Sequence, residues 1–229
     1  TMQQARKPMG LHKRDHIKAI LEIAEVTQEW ERVKGRKATN DDIDIMFADF
    51  KVLQVQCLAD YAELIPGVLD VVDWLRDKGI KIGSTTGYFD QAHEIVKREA
   101  AKREYVPDSS VCATDVPAGR PYPWMVMRNM ENTGVFPSEA VVKVGDTKQD
   151  ILEGLHARVW TVAIAVTGNE VGLNEQELLQ LSLDDRAARI EHARMELKSV
   201  KPHYVIDTII QLPGIIADIE RRLARGERP

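Results

Sequence analysis

Two carboxylates at a spacing of four, Asp146 and Asp150, follow the apolar run Ala140-Val-Val-Lys-Val-Gly145. A short run rich in β-branched residues reads as a buried parallel strand. Thr147-Lys-Gln-Asp150 reads as a helix start, which sets both acids at the strand's C-terminal edge, where open α/β sheets bind ligands. Hard oxygen ligands there suit Mg²⁺, which keeps several waters and takes one or two carboxylates plus a phosphate. Alone, the same residues also fit a helix N-cap beside a solvated acid. Gly83-Ser-Thr-Thr-Gly-Tyr88 sets hydroxyls and backbone N–H groups after another strand, a natural phosphate cradle, although Ser, Thr and Gly also build ordinary turns. Asp115-Val-Pro-Ala-Gly-Arg-Pro-Tyr-Pro-Trp124 holds three prolines and a glycine around Arg120. Such a stiff loop can fix a guanidinium against a phosphate; a surface turn with a solvated arginine is the plainer alternative. Lys13 lies between His12 and Arg14, three residues before His16. Desolvation or neighbouring cations make a lysine nucleophilic toward carbonyls, while a basic helix start on the surface has the same composition.

The elements that must position these groups fall into two regimes. From His16 to about Leu64 no strand is expected. Ile17, Ile20, Leu21 and Ala24 recur at helical spacing, and Asn40-Asp41-Asp42 caps a second helix carrying Ile43, Met46, Phe47, Phe50, Leu53 and Leu58. Ile65-Pro66-Gly67 punctuates the chain. Beyond it, helices over Val68–Lys78, Phe89–Arg103, Pro121–Thr133 and Ile151–Ala157 alternate with strands at Ile80–Ser84, Ser110–Ala113, Val141–Val144 and Thr161–Val166. Two helical stretches between Asn174 and Lys198, a strand at His203–Ile206 and a helix over Thr208–Arg225 complete the pattern. Repeated β–α units with short connections predict a parallel sheet with helices on both faces.

Bulk properties exclude several classes. With 44% apolar and 29% charged residues and a formal net charge of −5, the chain is ordinary for a soluble globular protein and lacks a basic stripe for nucleic acid. Val159–Val166, the longest apolar stretch, is too short to cross a bilayer, so no membrane association is expected. Arg6, Lys7, Lys13 and Arg14 interrupt any secretory signal. Cys57 and Cys112 lack metal-ligand spacing and read as free buried thiols, consistent with a reducing cytoplasm.

Four segments together resemble one family. Pro8-Met-Gly-Leu-His-Lys-Arg-Asp-His16, Ile82-Gly-Ser-Thr-Thr-Gly-Tyr88, Asp115-Val-Pro-Ala-Gly-Arg-Pro-Tyr-Pro-Trp124 and Val144-Gly-Asp-Thr147 are similar to phosphonoacetaldehyde hydrolase (phosphonatase), of the haloacid dehalogenase superfamily. The similarity runs from about Ala5 to the C-terminal region. It implies a small all-helical cap over residues 1–64 and a Rossmannoid α/β core over residues 65–229. It implies that Lys13 is the Schiff-base lysine, with His16 and Met9 beside it. Thr86, Gly87, Tyr88 and Arg120 would bind the substrate's phosphonate end, and Asp146 and Asp150 would hold Mg²⁺ directly or through water. The reaction implied is hydrolysis of phosphonoacetaldehyde to acetaldehyde and phosphate by a homodimer packed through the cap.

The family's attacking aspartate sits in an Asp-x-Ala-Gly-Thr segment ending a first strand, and no aspartate here has that setting. The expectation is therefore that nucleophile and strand lie upstream of these residues, leaving a gap between the strands ending at Thr86 and Gly145. The family usually carries glycine where Arg158 stands, so a strained left-handed turn is expected there. Two alternatives stay open: a phosphomonoester phosphatase of the same superfamily, and a non-catalytic phosphate- or phosphonate-binding module.

Overall fold

A reciprocal capping box opens the longest helix: the Thr39 hydroxyl accepts the Asp42 N–H while the Asp42 carboxylate accepts the Thr39 N–H. The cap thus lies one residue before the Asn40 expected from sequence. In the computed structural model, which describes residues 1–229, the first quarter holds α1 (Met2–Arg6), α2 (Lys13–Leu21), α3 (Ala24–Lys34) and α4 (Asn40–Cys57). As expected, it contains no strand. A short 3₁₀ turn then brings Leu58 against Phe89 and Ala92, with Phe47 and Val55 packed around them. The helical segment is anchored to the remainder through this cluster.

From Val68 helices and strands alternate. They are α5 (Val68–Asp77), β1 (Gly83–Thr86), α6 (Asp90–Ala101), β2 (Ser109–Cys112), α7 (Trp124–Thr133), β3 (Val142–Gly145), α8 (Lys148–His156), β4 (Trp160–Ile164), α9 (Glu175–Gln180), α10 (Leu183–Lys198), β5 (Tyr204–Ile206) and α11 (Leu212–Ala224). Every ladder is parallel, as the β–α repeats require. The strands form two sheets, β1–β2 and β3–β4–β5, with no ladder between β1 and β3.

Strand alternation divides the core. Val162 of β4 and Ile206 of β5 pack on Val71 of α5 and on Leu212 and Ile216 of α11. On the opposite face Ala163 and Ala165 meet Ile151 of α8 and Leu197 of α10. The period of two places both faces against helices, so β4 is fully buried along Trp160–Ala163. Across β2, Val111 and the following Ala113 pack on Met125 of α7, while His93 of α6 meets Ser110 on the other face.

Three element boundaries and the burial of one cysteine differ from the sequence expectation. The first strand runs over Gly83–Thr86 rather than Ile80–Ser84, because the Asp108 carboxylate accepts the Ile82 N–H and the ladder with β2 begins only at Gly83. Helix α7 begins at Trp124, not Pro121. Tyr122 precedes Pro123, and the residue before a proline is turned away from helical geometry. The last helix starts at Leu212, preceded by a 3₁₀ turn over Ile209–Gln211. Cys112 is buried and free, but Cys57 is exposed, since it falls on the outer side of the last turn of α4.

Candidate active site

The C-terminal ends of β1 and β3 face each other across the gap between the sheets, and polar side chains meet there. Arg120 donates through Nε to Glu153 at 3.0 Å and through Nη2 to the Thr85 carbonyl at 2.8 Å and hydroxyl at 2.7 Å. The same Nη2 lies 3.0 Å from Asp150 Oδ1. Lys143 Nζ sits 2.9 Å from Asp150, 3.1 Å from Glu153 and 2.7 Å from the Thr85 hydroxyl. All four charged side chains are under a tenth exposed. Two cations and two carboxylates balance, which is the condition for keeping such charges out of water. Burial works against the Asp150 charge, but Arg120 and Lys143 more than offset it and hold this carboxyl below the usual range.

Asp150 also closes the start of α8: its Oδ2 accepts from the Thr147 hydroxyl at 2.6 Å and from the Thr147 N–H at 3.3 Å. Both of its oxygens are thus engaged. Asp146 differs. It has no cation within ion-pair distance, and Oδ2 accepts only the Asn169 N–H, at 2.9 Å. Burial first, and the Asp150 charge second, push the Asp146 carboxyl above the usual range. A carboxylate destabilised by a neighbouring carboxylate and lacking a counter-ion fits a divalent cation, and its hard oxygens suit Mg²⁺. Gly145 and Gly168 make room for these acids, since a Cβ on Gly145 would come 2.3 Å from Asp150 Cβ and one on Gly168 2.8 Å from Asp146 Cβ.

The N-terminal segment lies over the same edge. A Cβ on Gly87 would come 2.7 Å from the Leu11 carbonyl, and one on Gly10 2.5 Å from the Thr147 hydroxyl. Only glycine allows the loop before α2 to rest between the β1 and β3 ends, and Gly10 also has φ of +94°. That loop carries Lys13 inward. Its Nζ lies 3.8 Å from Met9 Sδ and 5.4 Å from the centroid of the Tyr88 ring. Burial first, and the Arg120 charge second, push the Lys13 amine below its ordinary value. Thr86 Oγ1 accepts the Tyr88 N–H at 3.2 Å, which fixes the turn after β1. Arg6 of α1 donates to the carbonyls of Asn169 and Gly172, tying the helical segment to the loop that holds Asp146.

Lys13, Met9, Tyr88, Gly87, Thr86, Arg120, Asp146 and Asp150 therefore gather along one edge. His16 is less directly joined. Its Nε2 meets the Ala5 carbonyl at 2.7 Å, so that nitrogen carries the proton, and the buried Nδ1 has no partner. Burial lowers its pKa; the Ala5 hydrogen bond opposes this, and the Lys13 charge adds to it. Sequence reasoning missed Lys143, Glu153, Thr85 and Asn169. One signal was available: a lysine inside Val141-Val-Lys-Val144, a strand otherwise apolar, needs acidic partners when buried.

Known proteins resemble this chain over nearly its whole length. The haloacid dehalogenase-like hydrolase family matches residues 4–158. A phosphonoacetaldehyde hydrolase of Bacillus cytotoxicus is 44% identical over 222 residues, covering 97% of this chain and 84% of that protein. One from Syntrophobacter fumaroxidans is 42% identical over 226 residues, covering 99% of this chain and 82% of that protein. The crystal structure of a phosphonoacetaldehyde hydrolase like protein from Oleispira antarctica superposes with a TM-score of 0.96 at 38% identity, covering 100% of this chain and 83% of that one. The chain belongs to the haloacid dehalogenase-like hydrolases and, among them, to the phosphonoacetaldehyde hydrolase family.

Proposed function

We propose that this hydrolase cleaves the carbon–phosphorus bond of phosphonoacetaldehyde through an imine on Lys13. The observation that carries the reading is the environment of that amine. It is held among Met9 Sδ and the Tyr88 ring, and burial and Arg120 push its pKa down, so more of it is neutral and nucleophilic. The chemistry requires such a group, because direct C–P cleavage would expel a carbanion. Condensation of the aldehyde with Lys13 releases water and forms a protonated imine. When a carboxylate attacks phosphorus in line, the C–P electron pair moves into that imine and leaves as an enamine. Water then cleaves the acyl phosphate, while the enamine is protonated on carbon and hydrolysed to acetaldehyde and free Lys13.

The remaining residues take roles consistent with their places. Arg120 and the Thr86–Gly87 turn bind the phosphonate oxygens, and the orphan Nδ1 of His16 accepts and returns protons near the imine. Asp146 would hold Mg²⁺, with Asp150 supporting through its hydrogen bonds; the ion supplies neutralisation of charge on the phosphoryl oxygens. The gap between β1 and β3 favours an attacking carboxylate on a strand outside residues 1–229. Residues 1–64 act as the cap and 65–229 as the core, in a homodimer working in the cytoplasm, where Cys57 and Cys112 remain thiols.

A phosphomonoester phosphatase of this superfamily, or a non-catalytic phosphonate-binding module, would use the same phosphate end without an imine. Borohydride reduction of the protein in the presence of phosphonoacetaldehyde separates the readings and does not depend on the nucleophile. The expected product is a stable adduct mapped to Lys13 and missing from Lys13→Arg. Unmodified Lys13 in folded protein would sink the proposal.

A further inference from the structure

Beyond the carboxylate edge, a second group of ligand-bearing side chains lies between α6 and the end of β2. His93 on α6, Cys112 at the end of β2 and Asp115 in the following turn place their ligand atoms within 4.8 Å of one another. Strand geometry explains why: Ser110 and Cys112, two apart on β2, both face α6, where His93 is held by its Nε2 contact with the Ser110 hydroxyl at 2.6 Å. Asp115 folds back because its carboxylate accepts the Cys112 N–H at 2.7 Å. The Thr114 hydroxyl stands 3.1 Å from Cys112 Sγ.

We propose that His93, Cys112 and Asp115 form a site for a borderline-soft divalent cation of the zinc type, separate from the Mg²⁺ edge. Imidazole, thiolate and carboxylate form a nitrogen–sulfur–oxygen set that selects zinc-like ions over Mg²⁺, which takes oxygen. Charge closes as well: a neutral imidazole, one thiolate and one carboxylate sum to −2, which a divalent ion cancels. The Cys112 thiol loses its proton to solvent as the metal–sulfur bond forms, so one proton is released per ion bound. His93 and Cys112 are buried while Asp115 is exposed, which gives the ion a path in and leaves the fourth position to water. Ordinary zinc bond lengths put tetrahedral ligand atoms roughly 3.3–3.6 Å apart, so binding requires the three side chains to close by at most about 1.5 Å. The consequence reaches the active edge. Helix α6 follows the Thr86–Tyr88 turn, and Asp115 opens the loop that carries Arg120. A bound ion would fasten these two phosphate-facing loops together.

Cobalt(II) titration of the whole chain, reduced and saturated with Mg²⁺, tests the site. The expected result is one equivalent bound, with a thiolate-to-cobalt charge-transfer band displaced by Zn²⁺. That band should vanish in Cys112→Ser and persist in Cys57→Ser. His93→Gln keeps a hydrogen-bond partner for Ser110, and Asp115→Asn keeps an acceptor for the Cys112 N–H. Each should weaken binding by roughly tenfold or more while the metal-free protein melts as before. No thiolate band in the wild-type chain, or a band that survives Cys112→Ser, overturns the proposal.

Discussion

Lys13 shows how a single side chain acquires reactivity from what surrounds it. Burial is the larger influence on its amine and Arg120 the second, and both disfavour the ammonium form. Imine formation needs the neutral amine, so the rate of borohydride trapping should rise with pH and level off above the lowered pKa. Arg120→Gln removes the second influence; the midpoint of that profile should move to higher pH, but not all the way to a free lysine. An unmoved midpoint would show that Arg120 does not act on Lys13. At Asp146 the prediction concerns metal. Asp146→Asn still accepts the Asn169 N–H but loses the charge, so the Mg²⁺ concentration for half-maximal thermal stabilisation should rise roughly tenfold or more. An unchanged midpoint removes Asp146 from the site. Lys13, Arg120, Asp146 and Asp150 could be singled out in sequence by their surroundings: His12, Arg14 and His16 around Lys13, prolines and a glycine around Arg120, and a strand end before the two acids. Thr85 and Glu153 were not, since their meaning comes only from convergence: Glu153 looks like any helical acid until Arg120 and Lys143 meet it.

Among the elements, type was legible throughout the β–α region, whereas starts were displaced where prolines, a 3₁₀ turn or polar composition set them. Helix α5 was legible from its apolar spacing and from Gly79, which takes φ of +71°. Strand β1, expected over Ile80–Ser84, was displaced because Gly83-Ser-Thr-Thr86 has turn composition and becomes a strand only through its ladder with β2. The end of α8 yields a stability prediction. Val159 N–H bonds the Gly154 carbonyl at 3.1 Å and Arg158 N–H bonds the Leu155 carbonyl at 3.0 Å, the two bonds of a Schellman motif. Arg158 occupies its left-handed position with φ of +56°, as the resemblance led us to expect. A non-glycine residue there costs about 1–2 kcal/mol, partly offset by the greater freedom glycine has in the unfolded chain. Arg158→Gly should therefore stabilise by about 0.5–1 kcal/mol, a rise of roughly 1–4 °C in melting temperature for a chain of this size. A fall in melting temperature would mean that the Arg158 side chain contributes more than the backbone strain removes.

At the scale of the whole molecule, the helical segment has two apolar sides with different fates. Phe47 and Val55 of α4 turn inward onto Leu58, Phe89 and Ala92, whereas Ile45, Met46, Val52 and Leu53 stay exposed. The exposed four repeat at a spacing of seven, 45 with 52 and 46 with 53, so they form one stripe along two turns of α4 rather than scattered surface residues. A contiguous exposed apolar stripe calls for a partner surface. The homodimer proposed here supplies one, since a two-fold axis would set α4 against its own copy and bury both stripes at once. Leu53 is 64% exposed and touches no buried cluster, so Leu53→Glu leaves the single chain's core intact while placing a charge in the stripe. Sedimentation equilibrium should find a dimer for the wild-type chain and a monomer, with an unchanged far-ultraviolet spectrum, for Leu53→Glu. A dimer in both would move the interface away from α4, and a monomeric wild-type chain would rule out a homodimer.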